Sequence, residues 1–237
     1  MNIGIIPAGG LSSRFELREP KWAQLIEGRQ LIVIQALKLA SHCDHVHILV
    51  RQELLKFIDG YALYEALRNR VLVHSIEPTG DPLETIHHVV KKGAGQSETV
   101  ILTWADQIGI SSDLISETLH EMPDGSEIVI PGCIERNPYV YFDVHKGEIL
   151  RVCQTNEGDP ITRIAFRDVG LFVFRDGSLP KFIDMGLERS LGFLKLFQDV
   201  QNELSVCLLN IARTEHTIGI NSLADLEEWK SVKNIFV

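Results

Sequence analysis

The sequence lacks a dense basic run, closely spaced cysteines and a long hydrophobic segment. Its 237 residues include 32 acidic and 23 basic side chains, with a formal net charge of -9, so we expect no binding to nucleic acid or to an anionic membrane surface. The four cysteines show no C-x-x-C spacing, which argues against a zinc site or a disulfide framework. The apolar run at the start has no basic leader and is too short to span a bilayer, so a cytoplasmic location is expected.

Short apolar runs alternate with stretches of helical spacing, which is typical of an α/β fold with a largely parallel sheet. The first strand is predicted at Asn2 to Ile6, and a short apolar run at Glu98 to Thr103 has the character of a central buried strand. Further strands are predicted at His45 to Val50, Val71 to His74 and Glu127 to Pro131, and helices at Gln30 to Ala40, Glu53 to Ile58, Tyr61 to Leu67, Leu83 to Lys92 and Asp113 to Glu121.

The second half of the chain has more closely spaced strands, which predict a small antiparallel extension. They are placed at Tyr139 to Val144, Ile149 to Cys153 and Phe166 to Phe174. Helices near Leu179 to Asp184 and Leu191 to Gln198 precede strands at Ser205 to Ile211 and His216 to Ile220. The last helix is predicted at Ser222 to Val232, with Ser222 and Asp225 forming a capping box.

The segment from Ile5 to Trp22 has the composition of a phosphate-binding loop. Gly9 and Gly10 follow the first strand, and Ser12, Ser13, Arg14 and Lys21 come shortly after them. Glycines allow backbone N–H groups to approach an anion, and the two cations would neutralise phosphate oxygens. Neither the G-x-x-x-x-G-K-[ST] loop nor the G-x-G-x-x-G loop is present. A surface turn with solvated cations is the alternative.

The pattern A-G-G-x-S-x-R followed by P-K, read from Ala8 to Lys21, resembles the signature of the sugar-phosphate nucleotidyltransferase superfamily. This superfamily includes N-acetylglucosamine-1-phosphate uridylyltransferases, glucose-1-phosphate thymidylyltransferases and phosphocholine cytidylyltransferases. The resemblance implies that the loop holds the nucleotide and that Arg14 and Lys21 stabilise the triphosphate and the transition state. The nucleotide-binding residues that it implies are Pro7, Ala8, Gly9, Gly10, Ser12, Ser13, Glu77, Gly80 and Asp81.

Two further positions match the metal ligands of the superfamily. Asp106 follows the central strand in LTWADQ, where such enzymes keep an aspartate that binds magnesium, and Asn221 follows Ile218 to Ile220 before the last helix. A turn-capping role is the alternative for each residue. Magnesium prefers oxygen ligands and usually takes one or two from the protein, so the resemblance implies an Mg²⁺ cofactor on Asp106 and Asn221.

Base and acceptor recognition depart from the family pattern. Glu77 to Ile86 lies where relatives have L-G-T-A, and Asp81 replaces the threonine. The resemblance places acceptor binding at Tyr139, Gln154, Asp168 and Gly170, with Gln154 where uridylyltransferases have a glutamate and Asp168 where they have an asparagine. The sequence therefore leaves the base and the acceptor open.

The resemblance spans nearly the whole chain and implies one nucleotidyltransferase domain over residues 1–237. We expect a Rossmann-like three-layer α/β/α fold with a mixed, mainly parallel central sheet and a small antiparallel lobe that covers the acceptor. The expected reaction transfers a nucleoside monophosphate from an NTP to a small phosphorylated acceptor, such as a sugar 1-phosphate, and releases pyrophosphate. A cytidylyltransferase for a non-sugar phosphate and a non-catalytic nucleotide sensor are the alternatives, and homo-oligomerisation is left open.

Overall fold

The structure is a computed structural model that describes residues 1–10, 19–77, 81–91, 93, 98–175 and 177–232. The strands are β1 (Asn2–Pro7), β2 (Leu25–Ile26), β3 (Arg29–Gln30), β4 (His45–Arg51), β5 (Val71–Ile76), β6 (Thr99–Thr103), β7 (Ile128–Arg136), β8 (Val140–His145), β9 (Glu148–Gln154), β10 (Ile164–Asp168), β11 (Leu171–Arg175) and β12 (Val206–Asn210). The helices are α1 (Leu31–Ala40), α2 (Gly60–Leu67), α3 (Pro82–Val90), α4 (Ser112–His120), α5 (Ser178–Arg189), α6 (Phe193–Val200) and α7 (Leu223–Val232).

Ten of these strands form one mixed sheet in the order β5-β4-β1-β6-β11-β7-β10-β8-β9, with β12 paired to β7. The four strands from β5 to β6 are parallel, and β12 is parallel to β7. The strands β11, β7, β10, β8 and β9 join the sheet through antiparallel pairings. The mixed Rossmann-like sheet and its antiparallel extension are thus confirmed, whereas the role of that extension in covering an acceptor stays a prediction.

Helices cover both faces of the sheet. The central strands carry apolar side chains on both faces, since successive residues of a strand point to opposite sides. In β6, Val100 and Leu102 face a core that includes α3, α5 and α6. Ile101, between them, faces a second core that includes α1, α2 and α4. The first core contains a group of phenylalanines in ring contact, such as Phe182 and Phe197 with centroids 4.7 Å apart. This arrangement is the predicted three-layer fold.

Two strand predictions differ from the structure, and one predicted helix is confirmed as a 3-10 helix. The run from Phe166 to Phe174 is two strands, β10 and β11, since the chain turns at Gly170 with a φ of +75°. The stretch from Glu53 to Ile58 is a 3-10 helix, Gln52–Phe57. The strand predicted at His216 to Ile220 is wrong, because a 3-10 helix at Thr214–Thr217 leads into an irregular segment.

That irregular segment is nevertheless held in place by backbone hydrogen bonds. Gly109 N donates to Ile218 O over 3.0 Å, and Ile220 N donates to Asp106 O over 2.8 Å. The capping box is confirmed, since Ser222 N donates to Asp225 Oδ2 and Asp225 N donates to Ser222 Oγ. The start of α7 therefore lies beside the loop that follows β6. None of the helices within the described residues has both the length and the apolarity that a membrane span requires.

Candidate active site

A cavity of about 350 Å³ lies where the carboxyl ends of β1 and β6 meet. Parallel neighbouring strands bring the loops that follow them to the same edge of the sheet, which is the usual ligand site of open α/β sheets. The antiparallel strands β8 and β10 close the opposite wall. The lining residues are Pro7, Ala8, Gly9, Gly10, Lys21, Trp22, Asp81, Pro82, Thr85, Trp104, Ala105, Asp106, Gln107, Tyr139, Val140, Arg167, Asp168, Leu194 and Asn221.

Lys21 is directed into this cavity by the short 3-10 helix Lys21–Ala23. The neighbouring Trp22 is only 2% exposed, and its indole Nε1 donates to Ala8 O over 3.0 Å. A buried indole that has both an apolar environment and a hydrogen-bond partner is a firm anchor for the backbone around it. Trp22 therefore fixes the segment that carries Lys21 against the loop that follows β1.

Lys21, Asp106 and Asn221 meet in the cavity although they are distant in sequence. The ammonium Nζ of Lys21 forms an ion pair with Asp106 Oδ2 and lies 3.3 Å from Asn221 Oδ1. The side chains of Lys21 and Asp106 are 21% and 15% exposed, so water screens this pair less than it screens a surface pair. One carboxylate oxygen and one amide oxygen thus converge on a single cation.

Backbone contacts explain why Asn221 reaches Asp106. The Ile220–Asp106 hydrogen bond joins the residue before Asn221 directly to the loop after β6. Asn221 N also donates to Asp225 Oδ2 over 2.7 Å, at the N-terminus of α7. The Asn221 side chain is therefore positioned from both sides, by the sheet edge and by the helix cap.

The side of the cavity where the sequence predicts nucleotide binding includes Gly9, Gly10 and the start of α3. Gly9 packs so closely against Ile76 that an added Cβ would lie 2.9 Å from Ile76 Cδ1. Asp81 is the N-cap of α3, and its Oδ1 accepts a hydrogen bond from Leu83 N over 2.7 Å. Thr85, one turn into the helix, also lines the cavity. A Cβ at position 9 would thus require the end of the Ile76 side chain to shift, whereas the φ of Gly9 makes no demand for glycine.

On the opposite wall, Asp168 presents a buried carboxyl group at the end of β10. It is 9% exposed, and its Oδ2 accepts a hydrogen bond from Gly170 N over 2.8 Å. Burial raises the pKa of the Asp168 carboxyl above its usual range, while the Gly170 N–H and the Arg167 charge act in the opposite direction. Gly170 lies behind this wall, where an added Cβ would be 2.7 Å from Gln107 Cγ.

Arg167 is a cavity residue that the sequence did not indicate. Its Nη1 donates to both carboxylate oxygens of Glu135 over 2.8 and 2.7 Å, and its Nη2 donates to Thr217 O over 3.2 Å. Its Cζ lies 4.5 Å from the ring centroid of Tyr139. The ion pair joins neighbouring strands, so only the folded sheet reveals it. A charged residue beside Asp168 was the available sequence signal.

Arg167, Tyr139 and Asn221 also border a second cavity of about 260 Å³ that adjoins the first. Its other lining residues are Thr217, Ile218, Gly219, Asp225 and Trp229. The wall shared by the two cavities therefore combines a guanidinium, an aromatic ring and an amide.

Ten of the residues that the sequence indicated lie together in the first cavity. They are Pro7, Ala8, Gly9, Gly10, Lys21, Asp81, Asp106, Tyr139, Asp168 and Asn221. Glu77 is exposed, Gln154 is partly buried on β9, and neither lines either cavity. Ser12, Ser13, Arg14 and Gly80 lie outside the described residues. Trp104, Gln107 and Arg167 complete the wall without having been assigned a binding role.

Comparison with known families decides the relationship of this chain. The model of the MobA-like NTP transferase domain matches residues 4–167, which include the glycine loop, Lys21 and Asp106. The chain belongs to this family. No curated protein matches the sequence of this NTP transferase domain.

Solved structures with the same fold are distant in sequence from this NTP transferase domain. A protein assigned as a glucose-1-phosphate thymidylyltransferase from Bacillus anthracis, in complex with sucrose, has a TM-score of 0.77 at 10% identity, over 98% of this chain and 95% of its own. A CMP:2-keto-3-deoxy-manno-octonic acid synthetase complexed with CTP has a TM-score of 0.69 at 14% identity, over 100% and 99%. A nucleoside-diphosphate-sugar pyrophosphorylase from Vibrio cholerae RC9 has a TM-score of 0.70 at 16% identity, over 95% and 98%. The family match confirms the predicted relation to nucleotidyltransferases, and these structures share the fold, whereas a sugar phosphate as the acceptor stays a prediction.

The donor set of the NTP transferase domain is suited to a hard divalent cation. No group of three or more His, Cys, Asp and Glu side chains within the described ranges could hold a metal ion. Magnesium needs no such group, because it usually takes one or two protein oxygens together with phosphate oxygens and water. The oxygens of Asp106 and Asn221 that converge on the Lys21 ammonium meet this requirement.

Proposed function

We propose that this NTP transferase domain transfers a nucleoside monophosphate from an NTP to a small phosphorylated acceptor, with release of pyrophosphate. The observation that carries the proposal is the convergence of Lys21, Asp106 and Asn221 beside Gly9 and Gly10, within one cavity at the edge of a parallel sheet. A cation and two oxygen ligands beside an anion-binding loop are the components that phosphoryl chemistry needs.

In this reaction an oxygen of the acceptor phosphate attacks the α-phosphorus of the NTP. The bond from the α-phosphorus to the bridging oxygen breaks, and that oxygen leaves with pyrophosphate. A phosphate monoester with a second pKa near 6 is already mostly dianionic at pH 7, so no protein base is required. The work of the protein is to align the two substrates and to offset charge on their oxygens.

The residues divide this work by position. The backbone of Ala8 to Gly10 lies along the cavity wall where phosphates can approach, and Lys21 supplies a positive charge beside it. Asp106 and Asn221 would hold Mg²⁺, which when bound offsets negative charge on the reacting phosphates. Arg14, four residues after Gly10 in the sequence, is proposed to contact the triphosphate.

The acceptor is proposed to bind at the cavity wall that contains Tyr139, Arg167 and Asp168. This wall fits hydroxyl groups better than a quaternary ammonium group. The ring of Tyr139 already carries the Arg167 guanidinium, which would repel a second cation on that face. Arg167 offers hydrogen-bond donors, and the Asp168 carboxylate offers acceptors in the same cavity, so together they can satisfy a hydroxyl group. We therefore favour a sugar 1-phosphate over phosphocholine as the acceptor, and an NDP-sugar as the product.

The test is a panel of four NTPs against glucose 1-phosphate, N-acetylglucosamine 1-phosphate, glycerol 3-phosphate and phosphocholine. Pyrophosphate release is measured with and without Mg²⁺. The expected result is release that requires an NTP, a hydroxylated acceptor and the metal, and that Asp106→Asn abolishes. NTP binding without pyrophosphate release for any pair would instead support a nucleotide sensor. Release with phosphocholine alone would support the non-sugar cytidylyltransferase.

A further inference from the structure

We propose that Lys21 holds the place of a metal ion in the resting protein, so that the metal binds tightly only when a triphosphate draws the ammonium away. This inference rests on the proposed function, because it requires Asp106 and Asn221 to be metal ligands. It adds a second role for Lys21, which controls when the metal can enter.

The contacts of Lys21 carry the argument. Its Nζ forms an ion pair with Asp106 Oδ2 and a 3.3 Å contact with Asn221 Oδ1. These are the side-chain oxygens that a magnesium ion would need. Two cations at contact distance in a partly buried site repel each other strongly. The metal and the Lys21 ammonium therefore compete for the same oxygens.

The ligands are fixed more firmly than the cation. Ile220 N donates to Asp106 O over 2.8 Å, and Asn221 N donates to Asp225 Oδ2 over 2.7 Å, so the backbones of both ligands are tied. Trp22 anchors the Lys21 backbone, but the lysine side chain is a flexible four-carbon stem that can turn to another anion. Movement of Lys21 alone would thus open the oxygens without rebuilding the site.

A triphosphate supplies the anion to which Lys21 can turn. The glycine loop, where the phosphates are proposed to bind, lines the same cavity as Lys21. Once Lys21 contacts phosphate, Asp106 and Asn221 are left with oxygens that need a cation. Binding of nucleotide then strengthens binding of metal, and metal strengthens binding of nucleotide by the same factor.

The experiment measures Mn²⁺ binding to nucleotide-free protein by the loss of the electron paramagnetic resonance signal of free Mn²⁺. Lys21→Met should bind Mn²⁺ at least about tenfold more tightly than the wild type, because the competing charge is gone. Lys21→Arg keeps a cation and should bind as weakly as the wild type. Lys195→Met is the matched control, since it removes the same charge from an ion pair with Glu157 that is 37% and 45% exposed.

Two results would overturn the proposal. The first is Mn²⁺ affinity in Lys21→Met that is equal to or lower than in the wild type, and Lys21→Gln replaces this variant if it does not fold. The second is a gain that persists when Asp106→Asn is added, which would place the ion elsewhere. These titrations need no turnover. If the wild type releases pyrophosphate with an acceptor but Lys21→Met binds Mn²⁺ no more tightly, this role of Lys21 is rejected and the proposed function is kept. If Lys21→Met binds Mn²⁺ more tightly but the wild type releases no pyrophosphate, the proposed function is rejected.

Discussion

Two cations, Arg167 and Lys21, line the same cavity, but their ion pairs are built differently. Arg167 is held by both carboxylate oxygens of Glu135, by the carbonyl of Thr217 and by the ring of Tyr139. Lys21 instead contacts the oxygens of Asp106 and Asn221, which are themselves suited to binding a metal. The first pair joins two neighbouring antiparallel strands, β7 and β10, whereas the second joins loops at the carboxyl ends of parallel strands.

This difference separates a pair that holds structure from a pair that can exchange partners. Arg167 has several simultaneous contacts from a planar group, so moving it would cost several interactions at once. Lys21 has a point charge on a flexible stem, and a phosphate could replace its partners. We therefore expect mutations in the Lys21–Asp106 pair to affect mainly activity. Mutations in the Arg167–Glu135 pair should lower stability, in addition to any loss of acceptor binding when Arg167 is changed.

The largest effect is expected for Asp106→Asn, which should lower kcat by about a hundredfold or more, because charge stabilisation by the metal is the main catalytic term. The measurement is acceptor-dependent pyrophosphate release at saturating Mg²⁺. The free energy of unfolding should fall less than in Arg167→Met, because the amide keeps the shape of the side chain and Lys21 Nζ still contacts Asn221 Oδ1. Full activity in EDTA would show that no metal is involved and would remove the reason for the expected loss.

Arg167→Met should lower the free energy of unfolding by about 2–3 kcal/mol, because the Glu135 carboxylate, 17% exposed, would lose its partner. Urea denaturation measures this loss. The double variant Arg167→Met/Glu135→Met is the control and should recover most of the stability, since it leaves no buried charge unpaired. If the double variant is as unstable as the single one, packing around Arg167 matters more than charge, and the contrast with Lys21 fails.

From the sequence, the cavity residues that follow β1 and β6 could be located better than those on β8 and β10, for a physical reason. Gly9, Lys21 and Asp106 lie near the ends of short elements. In a parallel sheet the ends of neighbouring strands meet at one edge, so the order of these residues along the chain indicates where they lie in the fold. Arg167 and Gln107 acquire their surroundings from strands and loops far away in sequence. The turn at Gly170 was also missed, because apolar residues continue on both sides of it. Asn221 was placed by resemblance, although the strand predicted before it was wrong.

Asp168→Ala should raise the acceptor KM by about tenfold, because the acceptor group that hydrogen-bonds to Asp168 would lose its partner. The affinity for the NTP should stay nearly unchanged. Gln154→Ala, predicted from the sequence to act similarly, should change the acceptor KM less than about twofold. Asp168 lines the cavity. Gln154 does not, because it lies on β9, where it pairs with the cavity residue Val140 of β8. Acceptor kinetics and calorimetric titration of the NTP measure the two effects. Equal effects on KM would mean that the acceptor extends to β9.

The smallest effect concerns a third pair of ionisable groups, His47 and His74, in which His47 is harder to protonate in the folded protein than in the unfolded chain. Their ring nitrogens Nδ1 and Nε2 are 2.9 Å apart, and burial together with the neighbouring histidines lowers the pKa of His47 from 6.5 to about 4. The unfolded chain therefore takes up a proton below about pH 6.5, whereas the folded protein does not until about pH 4, so stability falls as the pH falls between these values.

His47→Gln should reduce the stability lost between pH 7.5 and pH 5.5 by about 1 kcal/mol, measured by urea denaturation at both values. His120→Gln is the matched control, because it makes the same substitution at a side chain that is 85% exposed. An identical loss in the wild type and in His47→Gln would show that His47 is not the group that titrates on unfolding.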